Sequence, residues 1–408
     1  MKSQESSLRI AMAGLGTAAR QILPVLSNTP RVELVAVADI RSEALDTACE
    51  RFPGVKAYDD VEELVKSQNV DAIWIATPNQ YHARHAIAAA TNGKHIIGEK
   101  PMALSIDECT AMVEAIDSAK VKYIQGHSKL HETAIREMGI LVQSGELGEV
   151  VQIISFNSND WLRRPRLESE LDTSSGGGVV YRQGPHQIDI VRFLGGGQVA
   201  RVSGHVGRHA TWCDADGDYS ALFEFSNGAS ATLALNGYGD FDATELTWHI
   251  GEGGKIKEPA STRTPAAIPS GSVSPAEKYA WADSTRQDIE RGAAQPFFGL
   301  TVVICERGAV RQSPSGLFVY RDGASKEIQL RKSLGRRAEL YELIRCIEED
   351  YDPFPGAHWG RATVEACLAI LESSKLGHPV ALNLQAAVPQ QVRLHTDTSD
   401  SQQMQLQS

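Results

Sequence analysis

Long apolar runs are what this 408-residue chain most plainly lacks: nothing approaches the roughly eighteen consecutive apolar residues that a membrane-spanning helix needs. Clustered cysteine is missing too. The six cysteines stand apart at positions 49, 109, 213, 305, 346 and 367 without a C-x-x-C, which argues against a disulfide framework or a zinc ribbon and leaves reduced core residues. Positive charge is in deficit, with a net charge of -11 and no dominant basic cluster, so neither nucleic acid nor an anionic membrane surface is an expected partner. The polar start MKSQESS is followed by an apolar segment broken by glycine, unlike a secretory leader, and a cytoplasmic location is the expectation. His205, His209 and Cys213 would need a helix to converge. Their surroundings read as strand and loop, so no metal is expected.

What is present is a chain of ordinary hydrophobic content, 42%, too long for one core, so two domains are expected. The informative stretch runs from Leu8 to Asp39. An apolar run, Ile10 to Ala13, enters a turn in which Gly14, Gly16 and Ala19 are spaced as G-x-G-x-x-A with Thr17 between them, and an apolar helical pattern follows through Ile22, Leu23 and Leu26. A second apolar run, Val32 to Ala38, ends on Asp39. Strand, tight turn, helix, strand and terminal acid together read as a dinucleotide site: Gly14 allows the turn, Gly16 lets backbone approach a pyrophosphate, Ala19 keeps helix and strand close, and Asp39 would bond ribose hydroxyls. A flavin is left open by this pattern. Asp39 should repel a 2'-phosphate, favouring NAD, while Arg41 keeps NADP open.

Helices and strands then alternate. The pattern predicts a helix over 43–51, a strand over 55–58, a helix over 61–66 and a strand over 72–76 that Thr77-Pro78-Asn79 ends in a loop. Tyr81, His82 and His85 begin the next helix; a strand over 95–97 closes on Glu99-Lys100-Pro101, and Ser105 with Glu108 forms a capping box. After a strand over 123–127 come a helix over 132–144, a strand over 150–157, a polar arginine-bearing loop over 160–175, three glycines, and a helix over 179–194. Strands are expected as a meander at 200–207, 219–225, 230–236, 245–251, 316–320 and 325–330, with an insertion at 255–295, partly helical near 276–288. Helices over 336–349 and 360–374 finish the fold, and the polar stretch 386–408 is expected to be flexible.

The turn at Gly14 to Ala19, the ATPN loop at Ala76 to Asn79, the Glu99-Lys100-Pro101 tripeptide and a later glycine-histidine motif resemble the Gfo/Idh/MocA oxidoreductases over most of the chain. The resemblance implies an α/β protein with an NAD-binding Rossmann domain, here residues 1–127, and a second α/β domain, 128–385, whose large, mostly antiparallel open sheet mediates homodimers or homotetramers. It implies Thr77, Pro78, Asn79, His82, Glu99 and Lys100 at the cofactor. It also implies Lys100 as the group exchanging a proton with a substrate hydroxyl, which requires its pKa to fall toward neutrality. Gly184, His186 and Asp189 match the family's D-x-G-x-H-x-x-D, implying His186 at the reacting carbinol and Asp189 at the substrate.

Arg182 departs from that pattern, standing where the family usually has an aspartate. A guanidinium there inverts what the pocket attracts, and with Arg163, Arg164 and Arg166 nearby it reads as a carboxylate clamp for a small anionic substrate. The stretch GGGVVYRQGPHQID resembles the branch containing phthalate cis-dihydrodiol dehydrogenases, implying oxidation of phthalate 4,5-cis-dihydrodiol to 4,5-dihydroxyphthalate. Two alternatives stay open: a dehydrogenase of a sugar, inositol or glycoside, and a non-catalytic nucleotide-sensing regulator.

Overall fold

The computed structural model describes residues 7–258, 271–278, 292–390 and 392. Its first half alternates strand and helix: β1 Leu8–Ala13, α1 Ala19–Ser27, β2 Val32–Ala38, α2 Ser42–Arg51, β3 Lys56–Tyr58, α3 Val61–Leu64, β4 Ala72–Ile75, α4 His82–Thr91, β5 His95–Glu99, α5 Ile106–Ala119 and β6 Tyr123–Gly126. The strands form one parallel sheet in the order β3-β2-β1-β4-β5-β6. Continuous apolar runs make this possible. Ile10 to Ala13 and all of β4 are buried, as strands covered by helices on both faces must be. The chain departs in opposite directions from β1 and β4, so a crevice opens at their carboxyl ends. The expected capping box is present, Ser105 accepting from the Glu108 N–H and Glu108 from that of Ser105.

The second half comprises α6 Thr133–Gln143, β7 Val150–Ser158, α7 Gly178–Arg182, α8 Gly184–Leu194, β8 Val199–Gly207, β9 Asp218–Phe225, β10 Ser230–Asn236, β11 Leu300–Cys305, β12 Gly308–Gln312, β13 Gly316–Arg321, β14 Ala324–Gln329, α9 Arg336–Glu349, α10 Ala357–Leu376 and β15 Val380–Ala381. Nine strands lie in the order β14-β13-β12-β11-β7-β10-β9-β8-β15. All neighbours are antiparallel except β7 and β10, whose parallel join interrupts the expected meander. Helices α6, α8 and α10 cover one face. The C-terminal helices also serve the first sheet: Leu340 and Leu343 of α9 are buried with Ile10, Met12 and Trp74, and Ala357 and Val364 of α10 with Ile73 and Tyr123.

Several local expectations are corrected. The single helix over 179–194 is two, α7 and α8, meeting at Gln183, because Pro185 at the start of α8 has no N–H to continue a ladder. The strand over 245–251 is a 3-10 turn, Ala243–Thr247, capped by Asp242 and followed by Trp248 and His249 at positive φ. β11 and β12 are strands beyond the expected set, although the β-branched run LTVVIC of β11 carries a strand signal. Most of the helix expected near 276–288 lies outside the described residues, although Ser274 and Glu277 cap its described start. The stretch expected to be flexible from 386 instead begins docked, the Val388 N–H donating to the Gly196 carbonyl and Val388 packing on the core; 391 and 393–408 lie outside the described residues.

Candidate active site

The glycine turn after β1 seats directly on the loop after β4. Gly14 has φ +88°, and a Cβ there would lie 2.6 Å from the Ala76 carbonyl oxygen. Beside this contact the Asn79 side-chain nitrogen is buried without a hydrogen-bond partner, a donor awaiting an acceptor. No side chain caps α1, so no side-chain oxygen claims its N-terminus. These features fit a dinucleotide. Gly14→Ala should therefore cost about 1–3 kcal/mol of stability, from strain and a backbone clash, and weaken NAD binding; urea unfolding and NAD titration of the variant check both.

Asp39 ends β2 as expected, and both its oxygens are engaged: Oδ2 accepts from the Leu15 N–H at 2.7 Å, and Arg41 donates from Nε to Oδ1 at 2.9 Å and from its second terminal nitrogen to Oδ2 at 3.0 Å. Burial alone would raise the Asp39 carboxyl, but Arg41 and the Leu15 N–H hold it below the usual range. Arg41 also donates to the Leu15 carbonyl, so acid, arginine and glycine turn form one unit. Gly16 and Thr17 lie at its open side, Thr17 exposed, while Ala19 is buried.

Two residues expected at the cofactor have their polar atoms engaged by the protein itself. Glu99 is buried and tied to Trp74 Nε1 at 3.2 Å and to Arg336 at 2.8 Å, so its carboxylate serves the interior. His82 is buried with one ring nitrogen 2.8 Å from the Thr77 carbonyl and the other 2.8 Å from that of Pro101, lashing the two loops together. Thr77 hydrogen-bonds His85 at 3.0 Å.

Lys100 follows β5 at the carboxyl edge. Its ammonium donates to the Arg182 backbone carbonyl at 2.7 Å, a contact between the two halves. Burial pushes Lys100 down to about 8; Glu99 opposes this, and Arg182 and Arg336 add to it. His186, from the first turn of α8, is brought to the same place. Burial, then the charges of Lys100 and Lys129, push it well below its ordinary value, so its imidazole is neutral, and its Nδ1 is buried without a hydrogen-bond partner. Its ring meets Phe298 edge-on at 5.2 Å between centroids.

The arginines divide. Arg182 donates from Nε to the Gly176 carbonyl at 3.1 Å, and Arg166 stacks on Trp161 at 4.1 Å. Lys278 pairs with Glu170 at 2.5 Å, Arg166 at 3.7 Å; burial would raise the Glu170 carboxyl, but Lys278, Arg166 and Arg182 keep it low. Burial pushes Arg166 down to about 9, still cationic at neutral pH. Arg164 pairs with Asp160 at 2.7 Å. Arg163 is corrected: it reaches the Tyr238 carbonyl and Asp240, lining a separate cavity of about 590 Å³ with Trp212 and His209. Asp189 is corrected as well. It is fully buried, its Oδ1 accepting from Trp359 and from Thr363 at 3.0 Å and lying 3.0 Å from His127, which makes it an anchor between α8 and α10.

Sequence reasoning missed Lys129, Glu252, Lys278 and Arg336. Lys129 sits just after β6 as Lys100 sits after β5, and the carboxyl-edge argument applied to Lys100 would have found it. Glu252 directly follows the stretch misread as a strand and drew no signal of its own. Arg336, at the start of α9, binds Glu99 and Glu339, the latter at 3.2 Å, and carries no local signal. Burial pushes the Glu339 carboxyl up, against the pull of Arg336.

Comparison with known proteins agrees with this geometry. Residues 8–127 match the model described as oxidoreductase family, NAD-binding Rossmann fold, and residues 135–257 the GFO/IDH/MocA C-terminal domain. A 1-carboxy-3-chloro-3,4-dihydroxycyclohexa-1,5-diene dehydrogenase of Comamonas testosteroni is 32% identical over 377 residues, 90% of this chain and 95% of its own. A solved structure from Bordetella bronchiseptica RB50, described as a dehydrogenase, has a TM-score of 0.82 at 31% identity, covering 92% of this chain and 100% of its own. An Agrobacterium radiobacter oxidoreductase solved with NAD+, L-tartaric acid and magnesium shares the fold, with a TM-score of 0.69 at 16% identity over 92% of this chain and 98% of its own.

Proposed function

The chain belongs to the Gfo/Idh/MocA oxidoreductases, and from that premise we propose that it oxidises an anionic cis-dihydrodiol, phthalate 4,5-cis-dihydrodiol first among candidates, to the corresponding aromatic diol. It is an NAD-dependent oxidoreductase. Bound NAD supplies the hydride acceptor. The turn at Gly14, Gly16 and Ala19 would hold the pyrophosphate, Asp39 the ribose side and Asn79 a polar edge of the nucleotide.

Lys100 in its neutral form takes the hydroxyl proton as the carbinol carbon loses hydride, and neutral His186 positions the same hydroxyl. The keto form released tautomerises to the aromatic diol, drawing the reaction toward oxidation. Arg182, Arg166 and Arg164 orient the carboxylates, and such positioning lowers the barrier by several kcal/mol. One observation carries the substrate class: three cations, Arg166, Arg182 and Lys278, converge on the single carboxylate of Glu170, and one of them, Arg182, is the residue whose carbonyl Lys100 meets, in a chain whose net charge is -11. The Comamonas relative's name specifies a carboxylated dihydroxycyclohexadiene, which supports the same reading.

NADH formation should therefore be at least about a hundredfold more efficient, in kcat/KM, with phthalate 4,5-cis-dihydrodiol than with the neutral benzene cis-dihydrodiol. Efficient oxidation of myo-inositol or a neutral sugar with no turnover of the dicarboxylate diol overturns the reading.

A further inference from the structure

A second lysine lies beside the reacting position in an arrangement that differs from an ordinary buried ion pair. Only 9% of the Lys129 side chain is exposed, yet its partner Glu252, at 3.0 Å, is 46% exposed. Among the described residues no other acceptor reaches this ammonium; its remaining contact is the face of Phe298, 5.7 Å from the ring centre. Phe298 is also the ring that His186 meets edge-on, so Lys129 and His186 share one aromatic wall. The cation is thus fixed inside the site and its counter-ion reaches in from solvent.

We propose that Lys129 receives a substrate carboxylate and that Glu252 holds this place in the free enzyme; the inference rests on the anionic-substrate reading and specifies which residue discriminates. A buried ammonium left bare costs several kcal/mol, so an anion has to occupy the position before substrate arrives. Glu252 is suited to leaving: its side chain is 46% exposed and the space around the neighbouring Gly253 is open, so rotation of the side chain alone carries the carboxylate into solvent while the glycine backbone on either side stays hydrogen-bonded. Desolvation of the carboxylate end that meets Lys129 would raise Glu252, but Lys129, then Arg164 and Lys257, hold it below the usual range, so three cations face the point where its charge sits. A carboxylate on a ring whose carbinol lies at Lys100 and His186 can take that point. A neutral polyol cannot replace the charge and has to bind with Glu252 still in place.

The test compares full-length wild type, Lys129→Met and Glu252→Gln, using the ratio of kcat/KM for phthalate 4,5-cis-dihydrodiol to that for benzene cis-dihydrodiol. In Lys129→Met the ratio should fall at least about thirtyfold, and in Glu252→Gln, which keeps the shape but removes the competing charge, it should rise about threefold or more. A ratio unmoved by Lys129→Met, or moved the same way by both variants, overturns the proposal. Calorimetric titration of phthalate, an unreactive dianion, into the same three proteins gives a second readout. Binding should weaken at least about tenfold in Lys129→Met and tighten in Glu252→Gln. If wild type oxidises no anionic diol, the substrate reading fails, and the titration still decides whether this pair is an anion site.

Discussion

Replacing Lys100 by methionine lowers kcat with the proposed dihydrodiol by about a thousandfold, while NAD still binds. The magnitude follows from the role: a positioned base contributes roughly a hundred to ten thousandfold, and this lysine is held at the carboxyl edge of β5 by its bond to the Arg182 carbonyl. Burial has pushed it down to about 8. The deprotonated amine is the form that accepts a proton, so wild-type kcat/KM should climb with pH through about 8 and level off above it. His186, held neutral by burial, contributes no second limb in this range. Lys100→Arg keeps a cation but removes the titratable base, so it should lose the pH limb along with the rate. Stopped-flow and steady-state NADH formation between pH 6 and 10 measure both. A Lys100→Met enzyme with a tenth of the wild-type kcat, or a profile flat through pH 8, would take the residue out of the chemistry.

The parts of this molecule legible in the sequence are those whose physics is local. The turn at Gly14 was readable because only glycine tolerates φ +88° with backbone 2.6 Å from its missing Cβ. The strands of the first sheet were readable because burial on both faces makes them continuous apolar runs, as in Ala72–Ile75. Asp39 and Lys100 could be singled out because each stands at the end of a recognisable strand, and His186 because it follows a glycine-rich turn into a helix. The failures involve partners far along the chain. Nothing near Glu99 announces that Arg336, 237 residues later, claims its carboxylate. Asp189 looks like a substrate ligand at helical spacing from His186, and only the fold reveals Trp359 and Thr363 against it. The loop arginines could be listed from sequence, but separating Arg163 from Arg166 required knowing that Asp240 offers the first a carboxylate and Trp161 the second a ring face.

The two halves are joined at the chemistry itself. Lys100 comes from the first sheet and its acceptor, the Arg182 carbonyl, from the second half; Glu99, adjacent to Lys100, is held by Arg336 of α9, which belongs to neither neighbouring segment in sequence. Helix α9 also buries Leu340 and Leu343 beneath the first sheet. The base is therefore placed by contacts that exist only once both halves have packed.

That placement bears on Arg182, whose backbone and side chain act separately. Arg182→Gln keeps the carbonyl that accepts from Lys100 and removes only the guanidinium. Glu170 retains Arg166 and Lys278, so no buried carboxylate is stranded and the variant should fold. Loss of a forked, charge-assisted contact to a carboxylate amounts to about 3 kcal/mol, which predicts a KM for phthalate 4,5-cis-dihydrodiol raised about a hundredfold. Arg182→Lys restores the charge without the planar fork and should recover only part of this. The pH limb near 8 should persist in both variants, shifted slightly upward in Arg182→Gln, because Arg182 is one of the charges lowering Lys100, and nearly unmoved in Arg182→Lys, which keeps the charge. If the KM of Arg182→Gln stays within about threefold of wild type, the guanidinium does not bind substrate; if the pH limb disappears as well, the side chain was holding Lys100 in place and the backbone contact alone does not suffice.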